Sequence, residues 1–167
     1  MKRILVLAMA LVMALSVSGC ARKAQREALL QYMNYDTVQM DIKSDQMIDS
    51  FNSVVSDNQF NNAVTLKEFK DKTRGLAEDA LEEAIIVREL IEDEDIAEIH
   101  EKYIVYLEEY IKLIDMAIMG IEETSPDIVN QVNSRLNELN EMLVEYYDAL
   151  KDFGKECGVE VSVDYVK

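Results

Sequence analysis

Apolar residues recur at alternating steps of three and four along most of this chain, and that spacing constrains the fold more than any other feature. The clearest series is Val129, Val132, Leu136, Leu139, Leu143, Tyr146, Leu150 and Phe153. An α-helix turns once every 3.6 residues, so such a series forms one stripe on one face. Ser125 stands before it as N-cap, Pro126 takes the first helical position, Asp127 lies in the first turn, and Gly154 is the expected stop.

Three more segments carry the same period. Ile96, His100, Tyr103, Leu107, Tyr110, Ile114, Ala117 and Ile121 form a stripe flanked on both sides by further apolar residues, so this helix is expected to be the most buried. Thr65 and Glu68 make a capping box before a helix whose inner face is Leu66, Phe69, Thr73, Ala77, Ala80, Ala84, Val87 and Ile91. The softest seam runs from Ala24 to Val55 through Leu30, Met33, Thr37, Met40, Ser44, Met47, Phe51 and Val54.

Short connections make successive helices antiparallel neighbours. The expected fold is therefore all-α, an antiparallel up-down-up-down four-helix bundle over residues 26–154. The alternative is a three-helix bundle in which residues 24–55 serve as a helical N-terminal tether. A weak point is the run from Glu92 to Asp95, where no Gly or Pro compels a turn. After Gly154 the period changes to two, with Val159, Val161, Val163 and Tyr165 alternating with polar residues, and residues 155–167 are expected to be an extended tail packed along the bundle.

Residues 1–19 stand apart from the fold. Lys2 and Arg3 precede an apolar run from Ile4 to Leu15, which as a helix spans about 18 Å against the roughly 30 Å of a hydrocarbon core. This is the pattern of an export signal. It ends Leu15, Ser16, Val17, Ser18, Gly19, Cys20, which resembles the lipobox of bacterial lipoproteins. The resemblance covers the first twenty residues and implies cleavage before Cys20, a lipid on the Cys20 thiol, and an extracytoplasmic protein anchored to a plasma or outer membrane. Ala21 stands where lipoproteins retained at the inner membrane of two-membrane bacteria carry Asp. Residues 20–25 would then form a lipidated anchor and basic tether, with Arg22, Lys23 and Arg26 placed to meet lipid phosphates.

Loss of residues 1–19 removes only Lys2 and Arg3 among charged groups, so 33 acids face 15 bases and the formal charge becomes −18. Such a body repels phosphates, which excludes nucleic acid as a partner. Catalytic and metal constellations lack their parts. His100 is the sole imidazole, residue 104 is Ile where a zinc helix needs a second His, and residue 97 is Ala where a di-iron helix needs Glu. No cofactor, metal or catalytic residue is expected, and His100 reads as a core histidine satisfied by a hydrogen bond. With Cys20 lipidated, Cys157 has no partner in the chain and reads as a buried or unoxidised thiol.

These features point to a non-catalytic, lipid-anchored helical bundle of the cell envelope that binds a protein or envelope component. The alternative is a small-ligand or haem carrier with its pocket among His100, Tyr103, Tyr110 and Tyr146. For the first reading the expected partner face is the outer side of the third helix, at Val105, Met116 and Met119, which also leaves self-association open.

Overall fold

The computed structural model describes residues 22–56, 66–67 and 69–162, and among these every regular element is helical. Helix α1 covers residues 22–31 and runs into a π-helical turn, Tyr32–Asp36; α2 is Val38–Ser56. A second π-helical turn, Phe69–Thr73, leads into α3, Arg74–Leu90. The two longest helices are α4, Glu94–Glu123, and α5, Pro126–Cys157. At 1.5 Å per residue each of these two extends for about 45 Å.

Side-chain pairings fix how the helices lie. On α1 and α2, Gln25 bonds Asp95, Tyr32 bonds His100 and Tyr103 bonds Ser44, so numbering rises together with that of α4. Against α3 it runs the other way, through Lys43 with Glu83 and Ser50 with Thr73. Helices α3 and α4 are likewise opposed, through Arg88 with Glu101 and Arg74 with Asp115, and α4 and α5 through Glu109 with Arg135 and Tyr103 against Tyr146. The start of α1, the α3–α4 turn and the end of α5 consequently meet at one end.

The turn at residues 91–93 is set by Asp93, whose Oδ1 accepts from the backbone N–H groups of Asp95 and Ile96 at 3.1 and 3.2 Å. That cap supplies what the absence of Gly and Pro left open, and it excludes a single helix through Glu92 to Asp95. At the other hairpin Ser125 occupies the N-cap, yet its hydroxyl makes no capping bond. Thr124 instead closes α4 in the left-handed region (φ 52°), with the N–H groups of Thr124 and Ser125 returning to the carbonyls of Ile121 and Gly120.

The core follows the stripes of the three C-terminal helices closely. Ala77, Ala80 and Ala84 on α3, Leu107, Leu113 and Ile114 on α4, and Leu139 on α5 are at most 1% exposed. Helix α4 is the most buried, as its three adjacent apolar seams require. Residues 22–56 are no loose tether, for Leu29, Tyr32, Met40, Met47 and Phe51 are sealed to the same degree. The seam inferred for this segment needs one correction. From Thr37 to Phe51 it is as expected, but N-terminal to that point the buried residues are Leu29 and Tyr32, while Leu30 is 37% exposed. A π turn holds one residue more than an α turn, so the face before Tyr32–Asp36 is rotated by about one residue against the face after it. The side chains of Val54 and Val129, the Thr65 and Glu68 pair, Cys20, Val163 and Tyr165 lie outside the described residues.

A second correction concerns Gly154, which is interior to α5 and not its stop. The helix continues to Cys157 and closes at Gly158 (φ 70°), with Gly158 N–H bonded to Lys155 O and Val159 N–H to Gly154 O. Val159 and Val161 then pack back on the core. A Cβ on Gly154 would meet Val161 Cγ2 at 2.5 Å and the Val159 carbonyl at 2.9 Å, so the glycine admits the returning chain. At Gly75 a Cβ would meet nothing within 4 Å. Two substitutions of one kind should therefore have opposite signs. Gly75→Ala is expected to stabilise by about 0.5–1 kcal/mol through backbone entropy, and Gly154→Ala to destabilise by about 1–3 kcal/mol through overpacking. Urea unfolding of both variants checks this, and equal shifts would refute the packed tail.

Candidate functional site

His100 is fully buried and both its ring nitrogens are engaged. Nε2 lies 2.7 Å from the carbonyl oxygen of Ala84, and Nδ1 lies 2.8 Å from Tyr32 Oη. Because a carbonyl only accepts, Nε2 carries the proton and Nδ1 must receive one from Tyr32. Tyr32 Oη also lies 2.8 Å from Tyr146 Oη, and with its own proton committed it accepts from Tyr146. A single directed chain thus runs from Tyr146 through Tyr32 and His100 to Ala84, joining α5, the π turn after α1, α4 and α3.

The small side chain of Ala84 lets the imidazole reach a helical carbonyl, whose second lone pair is available for it. The neighbouring polar atoms are also satisfied. Tyr103 donates to Ser44 Oγ, Ser50 and Thr73 share a bond of 2.9 Å, and no buried side-chain nitrogen or oxygen among the described residues lacks a partner. Burial pushes the hydroxyls of Tyr32, Tyr103 and Tyr146 well above the usual tyrosine range and holds His100 below the usual imidazole value, so the chain is neutral.

These groups are packed against one another. The rings of Tyr103 and Tyr146 are 4.9 Å apart, and His100 meets Tyr32 edge-on at 5.6 Å. Tyr110 packs on Phe51 at 5.5 Å. His100 has no spare nitrogen for a haem iron in this arrangement. Among the described residues no group of three His, Cys, Asp or Glu side chains is placed to hold a metal ion. Cys157 is buried, and burial together with Asp93, Glu156 and Asp95 raises its thiol above the ordinary value, which leaves it a poor nucleophile.

Two small cavities of about 290 and 220 Å³ open between α2 and α5, and Asp41 lines both. Loss of water around the carboxyl, with Asp45 adding repulsion against a favourable bond from Thr37, pushes it up to about 6. Much of the residue is open to solvent, which tempers the energetic weight of that shift. The signs of the two titrations differ. Asp41 is raised, so its cost is absent at low pH and fully present above pH 6; His100 is lowered, so its stabilising effect is present above 6.5 and lost as pH falls. Asp41→Asn is therefore expected to stabilise at pH 7.5 and to lose stability more steeply than the parent between pH 7.5 and 5. Thermal melting of the pair at both pH values checks this. A difference that does not change with pH would refute the raised carboxyl.

A larger opening lies outside this interior, along the seam of α4 and α5, with a volume of about 640 Å³. Its floor is Ile99, Val105, Met142, Ala149 and Phe153. Carboxylates from both helices stand around it, beginning with Asp95 and Glu98 on α4 and Glu145 and Glu156 on α5. Of the residues expected on the partner face, Val105 is 44% exposed and lies in this groove. Met116 is half-buried and lines a separate opening of about 510 Å³ further along the seam, and Met119 is 49% exposed. The three share one side of α4 but not one depression.

Sequence reading missed Tyr32, whose position one residue off the inferred seam concealed it. It also missed the groove, because its walls come from residues some fifty positions apart. No helix among the described residues is long and apolar enough to cross a membrane. No family model matches this chain, and neither does any curated protein or solved structure.

Proposed function

We propose that this protein is a non-catalytic binding module, held on the outer side of a bacterial membrane by lipid on Cys20, and that its helices form an up-down-up-down four-helix bundle in which α1 and α2 together make one leg. The observation that carries the binding reading is the α4–α5 groove, an apolar-floored opening of about 640 Å³ that reaches solvent. The interior polar chain is assigned a structural role, since each of its groups already has its partner.

The anchoring reading rests on the segment from Leu15 to Cys20 together with the place where the helices begin. Helix α1 is already formed at residue 22, two positions after the cysteine. A body attached there would rest on the membrane by the end that holds the α3–α4 turn and Gly158. Two acyl chains give stable attachment where one gives marginal binding.

Cys20→Ala is the test. The parent chain is expected in the membrane fraction, and the variant is expected either free of the membrane or uncleaved. A variant that is cleaved and still sediments with membranes would refute the lipid anchor.

A further inference from the structure

We infer that the α4–α5 groove takes a cationic amphipathic helical segment of a partner protein, about three turns long. This rests on the binding-module reading and names the chemistry of the occupant. The groove runs along α4 from Asp95 to Val105, ten residues and so about 15 Å, which is the length of three helical turns. Its floor is apolar and demands an apolar stripe at steps of three and four.

Charge decides the rest. Six carboxylates line the groove against one cation, Lys102. Glu101 is neutralised by Arg88 and Asp152 by Lys155, while Asp95 meets only the neutral amide of Gln25. Glu98, Glu145 and Glu156 have no ion-pair partner among the described residues. The acidity is local, not merely a reflection of the whole chain. In the opening further along the same seam, Glu109 and Glu138 are both paired, with Lys112 and Arg135. An anionic lipid surface or an acidic peptide is repelled from the first groove, and a wholly apolar segment would leave three carboxylates desolvated without compensation. Lysines or arginines flanking an apolar stripe answer both demands.

The probe is a fluorescent twelve-residue peptide with leucines at helical spacing and lysines beside them. It is titrated by anisotropy onto the full-length chain in non-ionic detergent, beside a peptide of the same composition in scrambled order. The ordered peptide is expected to bind at least tenfold more tightly. Glu98→Gln with Glu145→Gln and Glu156→Gln is expected to weaken it about tenfold, the sum of three modest exposed pairs, and to flatten its salt dependence. Glu138→Gln is expected to change nothing.

Equal binding of the two peptides, or insensitivity to the triple substitution, would overturn the proposal, since attraction would then be to overall charge alone. Absence of binding would overturn it as well. Photocrosslinking from residue 149 in native membranes, with and without Val105→Glu in the same chain, separates the two readings. A specific adduct that the substitution removes, found without peptide binding, leaves the binding module standing and rejects the cationic segment.

Discussion

Removing residues up to Ser56 is expected to abolish cooperative folding of the remainder. The deletion takes away Leu29, Tyr32, Met40, Met47 and Phe51, each at most 1% exposed. At about 1.5–3 kcal/mol for each large apolar side chain buried, the loss is of the order of 10 kcal/mol, comparable with the roughly 5–15 kcal/mol that holds a domain together. It would also open the alanine face of α3 and strip Tyr103, Thr73 and His100 of their bonds to Ser44, Ser50 and Tyr32. Urea unfolding followed by circular dichroism and tyrosine fluorescence is the measurement. A truncated chain that keeps a sharp, coincident transition would show that residues 22–56 are an accessory and that three helices suffice.

Tyr32→Phe is expected to be the most costly removal of a single oxygen atom, at about 2–4 kcal/mol. Tyr32 Oη is both donor to His100 and acceptor from Tyr146, so the substitution leaves a buried imidazole nitrogen and a buried hydroxyl without partners. Each unsatisfied buried group costs about 1–3 kcal/mol. The ring itself is preserved, which separates this effect from packing. Tyr35→Phe serves as control, since Tyr35 is 72% exposed and its hydroxyl is expected to contribute nothing measurable. Nitrogen NMR of His100 adds a direct reading. The parent should show the proton on Nε2, and a loss below 1 kcal/mol with an unchanged imidazole signal would refute the directed chain.

How far the fold could be read from the residues depended on how much of each helix's burial was apolar. On α4 and α5 most inward positions are Leu, Ile, Val, Tyr or Phe, and the stripes mark most of the buried positions, with Ile121, Leu136 and Leu143 half-buried. On α2 the inward positions include Ser44 and Ser50, which look like a weak seam until their partners, Tyr103 on α4 and Thr73 in the turn before α3, are known. Those bonds are the reason the seam is polar. They fix the level of α2 against its neighbours, where methionines alone would slide at little cost.

The rotation at residues 32–36 was not legible at all, because it is settled by a bond between Tyr32 and a histidine sixty-eight positions later. His100 itself was legible as a satisfied core residue, since it falls on an apolar stripe and lacks every companion that a metal site needs. Val105 was legible as outward-facing. The groove around it was not, for Met142, Glu145 and Phe153 reach it only through the pairing of two helices.

The π-helical turn at Tyr32–Asp36 makes chain length, rather than side-chain identity, the vulnerable quantity at this point. Tyr35 is largely exposed and should accept almost any replacement. Its deletion should be absorbed as well, for one residue fewer converts the turn to ordinary α-helix and places Tyr32 four positions before Thr37. Leu29 and Tyr32 then stay on the inward stripe, and Tyr32 keeps its hydroxyl on His100. An insertion has no such outlet, because the turn already accommodates one extra residue and a further one would turn Leu29 and Tyr32 off the core by about 100°. Insertions at 32–36 should therefore be far less tolerated than the loss of one residue or any exchange of residues there.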